Sequence, residues 1–216
     1  MSRRRMFACL ILFSTAPIAV GRAQTNTIGG TITAASTAVA EVVVYLVPAA
    51  TSTRIATAPV ATEMDQRALH FVPRVIVVSP GSTVSFTNSD RVMHNVFHPP
   101  KGGSAFDLGL FGPGERRSFV FDHEGAFVIF CHVHPEMVGY VVVLATPWRT
   151  VTDGDGRFTF ENVPAGSYVL RTWSGRFAEH LQQVSAGSDQ SAHLEISLGR
   201  GVPVDPRALP DARRAP

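Results

Sequence analysis

The sequence predicts an all-β protein, a sandwich or barrel, and three observations carry that prediction. Runs rich in β-branched and aromatic residues recur along the chain, such as Glu41 to Val47 (EVVVYLV) and Ala126 to Phe130 (AFVIF). Clusters of Gly, Pro, Asn and Asp punctuate these runs at short intervals. No stretch shows a convincing 3.6-residue apolar period. The chain has 216 residues, 45% hydrophobic and 17% charged, which suits a soluble globular protein with one large or two small domains.

The first residues stand apart from the fold. Arg3, Arg4 and Arg5 form a basic start, Met6 to Val20 is apolar apart from Ser14, Thr15 and Pro17, and Gly21-Arg22-Ala23 supplies small residues for cleavage. This pattern predicts an export signal at 1–23, cut after Ala23, and hence a periplasmic or secreted protein. The apolar stretch is shorter than the roughly 20 residues of a bilayer span, and no other segment approaches that length, so no membrane span is expected once the signal is removed. The signal carries four arginines and no acids, which leaves 15 of the 19 basic residues against 17 acidic ones. Without a basic excess, nucleic-acid binding loses its main support.

Further strands are expected at Arg74 to Val78, Thr83 to Thr87, Arg117 to Phe121 and Gly139 to Leu144. Pro80-Gly81, Asn88-Ser89-Asp90, Gly112-Pro113-Gly114 and Glu124-Gly125 mark the turns between them. Short helical turns are expected at most near Ser104 to Asp107 or Arg176 to His180. A second β unit follows at Thr152 to Trp173, where Arg157 to Phe160 and Tyr168 to Trp173 alternate in polarity, and another strand is expected at His193 to Leu198. The Pro-, Arg- and Ala-rich segment 199–216 reads as a disordered tail.

Cysteine use sharpens the reading. Cys9 leaves with the signal, so Cys131 stands alone in an exported protein. Three explanations fit a lone thiol in an oxidising compartment: an inert buried residue, a pairing between chains, or a metal ligand. The surrounding motif favours the third. Cys131-His132-Val133-His134-Pro135-Glu136-Met137 sets a thiolate, an imidazole and a thioether at i, i+3 and i+6 on a short loop between two strand runs. Thiolate, imidazole and a weak thioether are the donors of a blue-copper site, and zinc is a poor match for the thioether. Such a site needs a second histidine, and His94, just beyond the segment Thr83 to Asp90, fits best. His132 and His98 are expected to be non-ligands, because strand alternation points His132 away from Cys131.

These residues resemble the cupredoxins, the group of plastocyanin, amicyanin and pseudoazurin. The resemblance rests on His94-Asn95, then Cys131, His134 and Met137, with Phe71-Val72-Pro73, Pro80-Gly81-Ser82-Thr83-Val84 and Asn88-Ser89-Asp90 before them, and spans about 62–146. It implies a Greek-key β-sandwich holding one type 1 copper ion on His94, Cys131, His134 and Met137. It also implies that Asn95 pins the two ligand loops together and that His134 is a solvent-facing electron port, with Pro135 and Phe97 in a docking patch. His132 departs from the pattern, since many relatives carry a smaller residue there, and His98 adds an imidazole toward the site's mouth.

The later unit resembles the carboxypeptidase regulatory-like domain, a small transthyretin-like sandwich, through Asp153-Gly154-Asp155-Gly156-Arg157-Phe158 and Val163-Pro164-Ala165-Gly166-Ser167-Tyr168. Such domains begin with a strand like Gly30-Thr31-Ile32-Thr33, which here lies far upstream. The favoured layout therefore inserts the copper domain, 62–146, into a sandwich made of 24–61 and 147–198. Tandem order, with 27–47 packed on the copper domain, is the competing layout. Insertion is tolerated where the ends of the inserted domain lie close together.

Asp153-Gly154-Asp155-Gly156 is a hairpin turn rather than a calcium loop, because Arg157 and Pro164 occupy positions where an EF-hand needs acids. No CxxCH, HExxH, Walker or GxSxG motif is present, so no enzyme is expected. The function expected is one-electron transfer between exported redox proteins bound weakly. A periplasmic copper carrier or store, and an adhesive or scaffold module, are the alternatives.

Overall fold

The structure is a computed structural model that describes residues 25–50, 57–99, 105–187 and 192–201. The expected export signal and residues 202–216 of the expected tail lie outside the described residues. Among the described residues the chain forms strands and no helix. The first are β1 (Thr25–Ala34), β2 (Thr37–Ala38) and β3 (Val43–Pro48). Next come β4 (Ala61–Arg67), β5 (His70–Val72), β6 (Val75–Val78), β7 (Ser82–Asn88), β8 (His94–His98) and β9 (Phe106–Phe111). Then follow β10 (Arg116–Phe121), β11 (Gly125–Phe130), β12 (Val138–Val143) and β13 (Arg149–Val151). The last are β14 (Arg157–Pro164), β15 (Gly166–Trp173), β16 (Leu181–Ala186) and β17 (Ala192–Leu198).

These strands make four sheets. Two combine the ends of the described chain: β14-β1-β17, with β2 beside β1, and β13-β3-β15-β16. β1 runs antiparallel to β14, with Gly30 opposite Phe158, and parallel to β17, with Ile32 opposite Ile196. Their facing sides enclose one core, with Ile28, Ile32, Leu46, Trp148, Phe160 and Leu170 in it. The other two sheets, β10-β7-β4-β5 and β6-β12-β11-β8-β9, use the middle of the chain. Between them lies a second core containing Met64, Phe86, Phe111, Phe121, Ile129 and Val141. Neighbours distant in sequence, such as β6 with β12 and β7 with β10, give this sandwich its Greek-key order.

A third apolar layer explains why several strand runs lack alternation. Val75, Val128, Phe130, Tyr140 and Val142 turn away from the second core and meet Val43, Tyr45, Val151 and Trp173. β11 and β12 are thus apolar on both faces: Ile129 and Val141 face one core while Val128 and Val142 face the other layer. A strand buried on both sides reads as a continuous apolar run, whereas β7 alternates between buried and half-buried residues. Tyr140 and Trp173 meet edge to face across the layer, at 5.3 Å between ring centroids.

Three local expectations change. Asp107 lies within β9, and Arg176 to His180 forms a bend instead of a helical turn. That bend is closed by the Thr172 N–H to His180 O bond at 3.0 Å, which uses the chain to join β15 to β16. Asp153 to Gly156 does form a turn, with the Gly156 N–H donating to Asp153 O at 3.0 Å. It is not a hairpin turn, however, because β13 pairs with β3 while β14 pairs with β1. Gly156 has φ +72°, and a Cβ there would stand 2.4 Å from Ile32 O, so the change of sheet requires glycine at this position.

Candidate metal centre

The site is assembled where β8 and the loop after β11 meet. β11 pairs with β8 through Phe130 opposite Phe97, and the chain leaves the sheet at the next residue, Cys131. This brings the Cys131 thiol, 3% exposed, beside the start of β8. The Asn95 N–H points at Cys131 Sγ at 3.4 Å. The loop then turns back, with the Met137 N–H donating to His134 O at 3.0 Å, and enters β12. A loop this short carries His134 over the thiol without help from distant elements.

Three donor atoms converge. His94 Nδ1 lies 3.1 Å from His134 Nδ1 and 3.9 Å from Cys131 Sγ, and His134 Nδ1 lies 3.8 Å from the same sulfur. Among the described residues, these are the three His, Cys or acidic side chains grouped closely enough to hold a metal ion. Atoms with these separations lie on a circle of radius about 2.1 Å, within the ~2.0–2.3 Å of metal–nitrogen and metal–sulfur bonds. One soft sulfur and two imidazole nitrogens, with a thioether nearby in sequence, form a donor set suited to copper. The residues present therefore fit that ion. His94 is fully buried and His134 half-buried. Met137 is also fully buried, in the same apolar cluster as Cys131.

Asn95 ties the surroundings together. Its Nδ2 donates to Asp107 Oδ1 at 2.6 Å and Gly109 O at 3.1 Å, and its Oδ1 accepts the His132 N–H at 3.4 Å. One side chain thus links β8, β9 and the loop after Cys131. His132 points outward, stacks on Phe97 with ring centroids 3.6 Å apart, and sets Nε2 3.3 Å from Asp107 Oδ2. Burial acts to raise the Asp107 pKa, but the Gly109 N–H, the Asn95 amide and His132 outweigh it and hold the carboxyl below its usual range. His98 points elsewhere, with Nδ1 2.9 Å from Val128 O.

Two features escaped the sequence reading. Asp90, read there as part of a turn, sets Oδ2 2.9 Å from His94 Nε2. Burial acts to raise its pKa, but the Leu69 N–H, His94 and the Ala68 N–H outweigh it and keep the carboxyl below its usual range. An acid four residues before a candidate histidine ligand was the available signal. Gly139 is the second. It lies inside β12, where a Cβ would stand 3.0 Å from Phe71 Cβ and 3.2 Å from Met64 Sδ.

Comparison with known proteins gives two family matches. Residues 58–144 match the copper binding proteins of the plastocyanin/azurin family, and residues 136–199 match the carboxypeptidase regulatory-like domain. A chloroplastic plastocyanin of Chlamydomonas reinhardtii is 32% identical over 98 residues, which are 41% of this chain and 68% of that protein. A chloroplastic plastocyanin of Tetradesmus obliquus is 34% identical over 89 residues, and there the chain spans 61% of the relative's length. Among solved structures, amicyanin from Paracoccus versutus is 25% identical with a TM-score of 0.37, covering 39% of this chain and 81% of amicyanin.

Proposed function

The chain belongs to the plastocyanin/azurin family of copper-binding proteins, and from that premise we propose that it is an exported one-electron carrier. His94 and His134 would hold the ion through Nδ1 and Cys131 through its thiolate, with the Met137 thioether as the fourth donor. Bound copper supplies a one-electron couple between its two common oxidation states. The observation that carries this reading is the convergence of one thiol and two imidazole nitrogens at the exit of β11.

The remaining work falls to the protein. The sandwich holds three ligands on one short loop and the fourth on β8, and Asn95 keeps the two pieces in register. Burial of Cys131 and His94 keeps water from the thiolate and from one imidazole. His134, half-buried, is the electron port, and exposed Val133, Pro135 and Met93 beside the ligands in sequence form the surface for weak, transient contact with exported redox partners. The protein is a carrier and not an enzyme.

We also assign the copper domain to 62–146 and place it as an insertion in the regulatory-like sandwich, 24–61 and 147–198. The pairing of β1 with β14 and β17 supports this division.

The test is visible absorption and electron paramagnetic resonance of the copper-loaded chain, with voltammetry. An intense thiolate-to-copper band and a reversible couple are expected, both lost in Cys131→Ser. A colourless Cu(II) protein overturns the electron-carrier reading. Rapid transfer of copper to an apo-acceptor without a reversible couple supports a carrier of the ion instead.

A further inference from the structure

Asp90 sits between β7 and β8, four residues before His94, and its carboxylate is clamped. Oδ1 accepts the Ala68 N–H at 2.6 Å, and Oδ2 accepts the Leu69 N–H at 2.9 Å. Both donors belong to the tight turn between β4 and β5, where Ala68 and Leu69 have φ of 51° and 61°. Two successive left-handed residues make the turn that suits an antiparallel hairpin, and here they point adjacent N–H groups at one carboxylate. The Asp90 N–H donates to Asn88 Oδ1 at 3.0 Å, and Asn88 is fully buried, with Nδ2 donating to Val92 O and Phe111 O. The carboxylate therefore cannot swing away without breaking backbone bonds.

Against this anchor rests a histidine with no freedom to choose another partner. His94 is fully buried, and Nε2 lies 2.9 Å from Asp90 Oδ2. An ionised carboxylate only accepts hydrogen bonds, so the imidazole proton sits on Nε2. Nδ1 is left with its lone pair, directed toward Cys131 Sγ and His134 Nδ1.

We propose that Asp90 is a positioning residue of the copper site: it fixes His94 as the Nε2–H tautomer and places a permanent negative charge behind that ligand. The inference rests on the copper reading above. A carboxylate behind a ligating imidazole orients the ring and makes it a stronger donor. The same charge favours the more highly charged Cu(II) over Cu(I), because attraction scales with the product of charges. The β4–β5 turn, which holds no ligand, thereby sets the donor strength of a ligand on β8.

The test compares the full-length chain with Asp90→Asn. Affinities for Cu(II) and Cu(I) are measured by chelator competition, and the reduction potential by voltammetry. The Cu(II) affinity is expected to fall about 10- to 100-fold, and the Cu(I) affinity by less. Each tenfold difference between the two losses corresponds to a rise of about 59 mV in potential for a one-electron couple. In the copper-free protein, nitrogen chemical shifts are expected to show His94 wholly as the Nε2–H tautomer in the wild type and as a mixture in Asp90→Asn. An unchanged potential together with an unchanged tautomer overturns the proposal.

A purely structural role for Asp90 has its own signature. Ala68→Asn with Leu69→Gly makes the turn independent of Asp90, since Asn-Gly favours this geometry. Added to Asp90→Asn, the pair is expected to restore stability but leave the potential raised. Return of the potential to the wild-type value would reduce Asp90 to a turn cap. A wild-type chain without the thiolate-to-copper band overturns the copper reading, and this inference with it. A normal wild type with an indifferent Asp90→Asn overturns this inference alone.

Discussion

Gly139→Ala tests how tightly the metal loop is seated on its core. Gly139 lies two residues after Met137, within β12, and its missing side chain is what lets Phe71 and Met64 approach. A Cβ there meets Phe71 Cβ at 3.0 Å, Phe71 Cγ at 3.1 Å and Met64 Sδ at 3.2 Å. Contacts this short are tighter than ordinary van der Waals packing, so each neighbour must retreat by a few tenths of an ångström. Both neighbours lie in the core. Phe71 is 2% exposed and Met64 is fully buried, while β12 is bonded to β11 on one side and β6 on the other. Overpacking of this kind costs about 1–3 kcal/mol, and replacing glycine returns about 0.4–1 kcal/mol by restricting the unfolded chain. The net expected loss centres on about 1.3 kcal/mol and is at most about 2.6 kcal/mol, read as a lowered midpoint in urea at unchanged slope. Phe71→Ala in the same chain removes the Cγ contact and should relieve part of the strain, giving a favourable coupling of about 0.5–3 kcal/mol in a double-mutant cycle. A Gly139→Ala protein more stable than the wild type, or a cycle with no coupling, would refute the steric reasoning.

Two further outcomes follow from other contacts. Asn95→Ala removes the bonds to Asp107, Gly109 and the His132 N–H, and should cost about 1–3 kcal/mol in urea unfolding of the copper-free chain and accelerate copper release to a chelator; equal release rates would show that Asn95 does not brace the loop. Tyr45 is held neutral chiefly by burial, with Arg171 opposing and Glu179 adding to the effect, so that its pKa is pushed up to about 12. The unfolded chain loses this proton near pH 10, so the folded state is increasingly disfavoured as pH rises from about 10 to 12. The loss should reach roughly 1–2 kcal/mol after allowance for the half-buried position, and Tyr45→Phe should flatten that part of the stability profile relative to wild type.

The all-β class was legible because the β-branched runs and the turn residues agree with one another along the chain. The strand cores at Thr83 to Thr87 and Arg117 to Phe121 lie within β7 and β10, each of which extends a residue further at its start. Less conspicuous strands were missed. β9 (FDLGLF) and β16 (LQQVSA) have weak apolar patterns, and each is held by pairing, β9 to β8 and β16 to β15. The helical turn expected at Arg176 to His180 failed for the same reason: the Thr172 N–H donates to His180 O and Thr172 Oγ1 accepts the His180 N–H, and this pairing overrode local preference.

At the metal centre the division is sharper. The sequence by itself determined which candidate donors share a loop, because Cys131, His134 and Met137 are separated by only two residues at each step and the chain itself holds them together. It also determined that β11 and β12 would be apolar on both faces, since Phe127 to Phe130 and Tyr140 to Val143 have no polar alternation. Only the tertiary structure decided what meets those faces and what stands behind the candidate ligands. His94 reaches Cys131 because β8 pairs with β11. Asp90 reaches His94 because β4 lies beside β7 and brings the Ala68–Leu69 turn under its carboxylate. Spacing along a loop is a property of covalent geometry, whereas contacts between strands depend on which sheets the hydrophobic faces choose to join, and that choice belongs to the whole chain.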